Sequence, residues 1–187
     1  YLTKLDEDPF DCVCHHLMLI HEPSAKVIGT YRMQTQDMAH QGKGWYSSQE
    51  FDFLQMPREV LDHGVELGRA CIDKAHRNLA VLYLLWKGIS WYLSSQEKRY
   101  FFGCASITSQ EPMEGHKAFA YLKKQGALHP SILLKATTPF DCGELSMVDD
   151  QDLTVNIPRL FRTYINYGSK ICSYPAIDRL FKTIDFL

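Results

Sequence analysis

One segment limits what this chain can fold into. Residues 79–94 read Leu-Ala-Val-Leu-Tyr-Leu-Leu-Trp-Lys-Gly-Ile-Ser-Trp-Tyr-Leu-Ser, apolar on nearly every helical face. The apolar stretch is about fifteen residues long and is interrupted by Lys87, Gly88 and Ser90, too short and too polar to span a bilayer. The pattern therefore predicts a helix covered on both sides. Residues 65–72 before it form a β-rich run. Residues 99–108 after it form another, with Tyr100, Phe101 and Phe102 followed by the small Gly103, Ala105 and Ser106, and they predict a buried strand. Strand, helix and strand in this order call for an α/β layered structure.

The remaining segments fit that frame. Residues 12–21 and 26–34 are β-rich runs separated by a turn at Pro23 and Ser24, which predicts a hairpin. Residues 36–46 are polar, hold Gly42 and Gly44, and predict a mobile loop. Ala118, Phe119, Tyr121 and Leu122 have helical spacing within residues 114–124, with Gly126 placed to end the helix. Asn156 is a candidate cap for a helix with Pro158 in its first turn and Gly168 as its stop. Residues 170–174 predict a strand, and residues 177–186 a short turn or helix running into an extended end.

With 187 residues, 45% of them hydrophobic, the chain suits a single domain over residues 1–187. It opens at Tyr1 rather than Met, as expected if an N-terminal segment is missing. Twenty Lys and Arg against 22 Asp and Glu give a net charge of −2, so no global field draws the chain to nucleic acid or to an anionic membrane. Six cysteines lie scattered in apolar surroundings without a CxxC pair, as reduced, mostly buried thiols would. Cys12-x-Cys14-His15-His16 resembles half of a metal knuckle, but no second cluster completes it, and no metal is expected.

Most of the chemical information sits in Glu66-Leu67-Gly68-Arg69-Ala70-Cys71-Ile72-Asp73-Lys74-Ala75-His76-Arg77-Asn78, which runs into the long helix. A strand that ends in a basic loop opening a helix directs unpaired amides and the positive helix end at one place, where a pyrophosphate or phosphopantetheine could dock. An ordinary strand-to-helix connection with solvated His76 and Arg77 is the competing reading. Glu66 and Arg69 fall within a strand that should be buried, where neither type is usual without a partner or a function. Three residues apart, they point to opposite faces unless a bulge intervenes, and Gly68 is a plausible place for one. Alternatively they form separate ion pairs, for instance Arg69 with Glu50 or Asp52.

Several blocks together resemble the ornithine N-acyltransferases and hemolysin-like acyltransferases of the GNAT superfamily. They are Val27-Ile28-Gly29-Thr30-Tyr31-Arg32, Ser48-Gln49-Glu50-Phe51-Asp52, Glu66-Leu67-Gly68-Arg69-Ala70-Cys71-Ile72, Leu84-Leu85-Trp86-Lys87-Gly88-Ile89 and Phe102-Gly103-Cys104-Ala105-Ser106. The ending, with Ile157-Pro158-Arg159-Leu160, Tyr164-Ile165-Asn166-Tyr167-Gly168 and Pro175-Ala176-Ile177-Asp178, is similar too, so the likeness runs from Asp8 to Phe186.

The resemblance implies an α/β (α+β) GNAT-type fold, a mixed central sheet flanked by helices and splayed between two central strands, here residues 65–72 and 99–108. It also extends distantly to acyl-homoserine lactone synthases, which carry an acid and an arginine at the positions of Glu66 and Arg69. The loop at residues 73–78 lacks the glycine-rich pattern of ordinary acetyl-CoA enzymes. That favours the 4'-phosphopantetheine thioester of an acyl carrier protein over acyl-CoA, with no tightly bound cofactor.

The implied reaction moves a fatty acyl group, such as a 3-hydroxy acyl group, to the α-amine of an amino acid such as ornithine, as in ornithine lipid synthesis. The implied setting is bacterial and cytoplasmic, with peripheral contact at the inner membrane and no nucleic-acid partner. Glu66 is the candidate base, since an amine attacking a thioester must lose a proton. Arg69 completes its pair, and Ser106 either orients the leaving thiol or packs as a small strand residue. Cys71 and Ile72 would offer a backbone N–H to the oxyanion, and with His76, Arg77 and Asn78 would hold the donor. Arg32 and Arg69 suit an acceptor carboxylate, and Glu50 and Asp52 complete the acceptor site. The competing functions are a non-catalytic thioester-binding module and an O-acyltransferase acting on a lysolipid.

Overall fold

The computed structural model describes residues 7–144 and 155–187. They fall into two compact units: Tyr1–Tyr46 with Arg58–Gly103, and Ser47–Pro57 with Cys104–Leu187.

The first unit is a four-stranded sheet with helices. β1 (His15–His21) and β2 (Lys26–Thr35) form the expected antiparallel hairpin. β2 also pairs antiparallel with β3 (Gly64–Ile72), which pairs in parallel with β4 (Tyr100–Phe102), giving the order β1-β2-β3-β4. Two short helices, α1 (Gln36–Gln41) and α2 (Arg58–His63), join the sheet. The expected loop at residues 36–46 is thus partly helical. Trp45, packed edge-on against Phe102 with ring centroids 5.0 Å apart, anchors what the polar composition suggested was mobile.

α3 (Leu79–Ser95) buries Val81, Leu82, Leu85, Ile89 and Tyr92. Leu85, Ile89 and Tyr92 pack with Tyr31, Met33 and Val65 of the sheet as the core of this unit. The expectation that α3 would be covered on both sides is corrected: Leu84 and Trp91 are 54% and 72% exposed. The excess of apolar residues hid an ordinary one-faced helix.

The predicted continuous strand over residues 99–108 is also corrected, because it divides. β4 ends at Phe102, and β5 (Ala105–Ile107) belongs to a second sheet. Tyr100 and Phe101 are exposed rather than buried. At Gly103 a side chain would collide with the Leu67 carbonyl oxygen, so only glycine lets the backbone pass where β4 leaves the ladder.

The second unit holds α4 (Pro112–Lys124), α5 (Arg159–Asn166), β6 (Ala176–Asp178) and β7 (Thr183–Phe186). Its sheet has the order β5-β7-β6, all antiparallel. Its core gathers Ile107, Ala118, Phe119, Leu122, Phe161, Ile184 and Phe186 among others. α4 stops at Gly126, whose φ of +66 favours glycine, as the sequence predicts.

Three expectations need adjusting here. Asn156 does not cap α5; Pro158 stands at the cap with ψ 149, so the helix begins only after it. Residues 170–174 form isolated bridges at Ile171 and Ser173 rather than a strand. Residues 177–186 hold most of the β6-β7 hairpin: of the two alternatives expected there it is the turn, not the helix, that runs into the extended end, and a strand precedes it.

Among the described residues no helix is long and apolar enough to cross a membrane.

Candidate functional site

In the first unit the β2-β3 ladder sets the geometry. Gln34 lies opposite Glu66 and Arg32 opposite Gly68, so all three side chains of Arg32, Gln34 and Glu66 share one face. Between Thr30↔Cys71 and Arg32↔Gly68 the register slips, with Arg69 and Ala70 facing Tyr31 alone. This is the bulge anticipated at Gly68, but the left-handed residue is its neighbour Arg69, with φ 50.

The bulge turns Arg69 to the face of Arg32, and both guanidinium groups meet on one carboxylate. Arg32 Nη1 donates to Asp8 Oδ1 at 2.7 Å and Arg69 Nη2 to Asp8 Oδ2 at 2.7 Å. Arg32 also donates to Asp11 at 2.7 Å, and its guanidinium lies 5.0 Å from the Tyr46 ring centroid and 5.5 Å from that of Phe10. Within the first unit the carboxylate that meets Arg69 is Asp8. An acceptor carboxylate at Arg32 or Arg69 would have to displace it.

The charges respond as this geometry requires. Burial works to raise the Asp8 pKa, but hydrogen bonds from Arg32, Arg69 and the Phe10 N–H outweigh it and bring it down to about 2. Asp11 is likewise lowered, against burial, by the Asp8 N–H and Arg32. Burial pulls the Arg32 pKa down, but Asp8 and Asp11 raise it on balance. Beside them the Cys14 thiol is pushed up to about 11 by burial and by nearby carboxylates, Glu66 included.

Glu66 is 3% exposed, and its Oε2 accepts the Tyr46 N–H at 2.8 Å. Its strand is fully paired on one edge only. The ladder with β4 covers Gly64 to Glu66, and residues 67–72 lie beyond it. Glu66 therefore sits at the point where β3 loses its parallel neighbour.

Past that point, Cys71 is exposed and Ile72 half-buried. Arg77 Nε donates to the Ile72 carbonyl at 2.9 Å, and His76 bonds Asp73 at 2.9 Å, which lowers the Asp73 pKa. Asn78 accepts the Val81 N–H at 3.0 Å and caps α3. The loop read as a donor site is thus tied down by its own side chains while its residues stay accessible.

The other predicted residues lie in the second unit. Asp52 caps a 3-10 turn by accepting the Leu54 N–H at 3.0 Å. Ser106, on β5, pairs with Asp185 in register and hydrogen-bonds its carboxyl. Glu50, 3% exposed, lies with Asp178 and Asp185, both 5% exposed, so that a ligating atom from each falls within 4.8 Å of the others. Burial raises the Asp185 pKa and Asp178 adds to it, opposed by hydrogen bonds to Ser106, Glu50 and Thr183.

Sequence reasoning missed Asp8, Asp11, Phe10 and Tyr46 in the first unit and Asp178 and Asp185 in the second. The Asp8-Pro9 dipeptide does mark a turn, but nothing local links it to arginines 24 and 61 positions on.

Comparison with known proteins shows what the chain is similar to. Residues 1–87 match the acetyltransferase (GNAT) domain family. The chain is 26% identical to the L-ornithine N(alpha)-acyltransferase of Rhizobium meliloti (strain 1021), over 98% of this chain and 66% of that protein. It is 27% identical to the namesakes from Agrobacterium fabrum and Rhodobacter capsulatus, covering 98% and 99% of this chain and 66% and 74% of theirs. The chain thus spans 66% of the length of the first two relatives. No solved structure matches it.

Proposed function

We propose that this protein is a GNAT-type N-acyltransferase that moves an acyl group from a thioester to the amine of an amino acid. Both compact units belong to one catalytic domain in this reading, which the alignment over 98% of the chain supports. The carrying observation is the position of Glu66, buried on β3 at the last residue paired with β4.

The chemistry follows from what that position offers. The acceptor nitrogen attacks the thioester carbonyl, Glu66 accepts the proton the nitrogen must lose, and the thiolate leaves with a proton as the amide forms. Backbone N–H groups of residues 67–72 lie beyond the β4 ladder, and those near Cys71 and Ile72 are the candidate donors to the oxyanion. Arg77 and Asn78, holding the loop and capping α3, position that end of the helix toward the donor's phosphate.

Arg32 and Arg69 act by pinning Asp8 against the face of the sheet that carries Glu66, in place of gripping substrate. Ser106, Glu50 and Asp52 are given no part in this reaction. The relatives' name points to L-ornithine as acceptor, and the loop lacking a glycine-rich pattern favours an acyl carrier protein as donor over acyl-CoA. The product, an acylated amino acid, places the reaction at the start of an amino-acid lipid and brings the protein to the membrane surface.

The test incubates the full-length protein with 3-hydroxyacyl-loaded acyl carrier protein or acyl-CoA, and with L-ornithine or a lysolipid as acceptor. Mass spectrometry that finds amide-linked acyl-ornithine supports the reading. Thioester binding without turnover would make it a binding module, and an ester on the lysolipid alone would make it an O-acyltransferase.

A further inference from the structure

The second unit buries three carboxylates that the proposed transfer does not use. Glu50 comes from the 47–57 segment and Asp178 and Asp185 from the β6-β7 hairpin; all are 3–5% exposed and bring one oxygen each within 4.8 Å of the others. Carboxylates are rarely buried without a cation to face, and like charges this close in a low-dielectric interior repel strongly.

The oxygens are not equally committed. Asp178 Oδ1 accepts the N–H groups of Leu180 at 2.7 Å and Phe181 at 2.8 Å, which closes the β6-β7 turn and fixes the carboxylate in place. Asp185 Oδ2 takes the Thr183 hydroxyl at 3.3 Å. Asp185 Oδ1, by contrast, is buried and has no hydrogen-bond partner. A buried carboxylate oxygen without a donor, in a side chain that lies beside two further carboxylates, is an acceptor open to a cation.

We infer that Glu50, Asp178 and Asp185 form a binding site for a hard divalent cation, Mg2+ or Ca2+, inside the second unit. All three side chains offer oxygen only, the donor type these ions select. The hydroxyls of Ser106 and Thr183, both bonded to Asp185, stand ready as neutral oxygen ligands or as supports that orient it. Burial of 95% or more suits a bare ion better than an ammonium on a carbon chain, which would need an open path to the same oxygens. The ion would tie β6, β7 and the 47–57 segment together, so its first effect is on stability.

The rival explanation is a proton shared between Glu50 and Asp185, whose carboxyls hydrogen-bond. The experiment uses the full chain, stripped with a chelator and titrated with CaCl2 and with MgCl2 by calorimetry and thermal melting. Asp185→Asn, Glu50→Gln and the control Asp52→Asn are compared with the parent. We expect one ion per chain, a higher melting temperature with the ion, binding weakened at least tenfold in Asp185→Asn and Glu50→Gln, and no change in Asp52→Asn. No binding of either ion to the parent would overturn the site, whether or not the variants fold. Unchanged binding in Glu50→Gln, or an Asp185→Asn protein melting above the ion-saturated parent, would overturn it as well and leave the shared proton.

Discussion

Both units bury acidic side chains, and they resolve the cost in opposite ways. In the first, Asp8 and Asp11 face Arg32 and Arg69, and arginine contacts outweigh burial so that both acids hold their charge. In the second, Asp185 faces Glu50 and Asp178, and burial wins. The same desolvation acts in each place. The partner decides whether a carboxyl becomes a fixed anion or a group that keeps its proton or seeks a cation.

The largest effect that would break this contrast lies in the first unit. Glu66→Gln keeps an oxygen for the Tyr46 N–H but removes the base, and kcat for acyl transfer should fall by about 10² to 10⁴. Turnover equal to the parent's would end the assignment of Glu66. Next comes Asp8→Asn, which leaves two arginines around a neutral group. Urea unfolding should show a loss of about 1 kcal/mol, since two arginines lose a half-buried, partly screened carboxylate partner. A loss indistinguishable from that of a surface mutation would mean the Asp8 cluster is loosely held.

The pH dependences should run in opposite directions. Asp8 has a folded pKa near 2, below its unfolded value of 3.8, so its contribution is present above about pH 4 and lost as the pH falls toward 2. Screening by solvent reduces this to on the order of 1 kcal/mol. Asp185 has a raised folded pKa, so in chelator its contribution is fully present below 3.8 and lost as the pH rises through that higher value. Amide exchange read strand by strand should show β3 losing protection in acid while β7 gains it. Parallel behaviour of the two strands would dissolve the contrast.

The smallest effect sharpens it. Burial pushes Cys14, Cys142 and Cys172 to pKa values of about 11, while Cys12 and Cys71 are exposed. Iodoacetamide on the native protein should label Cys12 and Cys71 first, and mapping the adducts by mass spectrometry checks it.

Much of the fold was readable because it rests on local patterns. β2, β3, α3 and α4 lie within a residue or two of where alternation, helical spacing and Gly126 put them, and β1 starts three residues later than expected. The failures were those of tertiary context. Residues 99–108 look like one strand, yet split at Gly103 because two different sheets claim the halves. Residues 36–46 look mobile, yet Trp45 is buried by a ring from β4.

The site divides along the same line. The place of Glu66 in a buried strand, and a bulge near Gly68, were accessible from residue type and spacing, as was the strand, loop and helix that follow. Asp8 as the carboxylate between the arginines was not, nor was the meeting of Glu50 with Asp178 and Asp185. By itself the sequence determined most of the segments that become strands and helices, and that Glu66 falls within one of them, because periodicity and capping act over a few residues. Only the tertiary structure decided which buried charges face each other, because that depends on contacts between residues distant in the chain, and those contacts set the charge each group keeps.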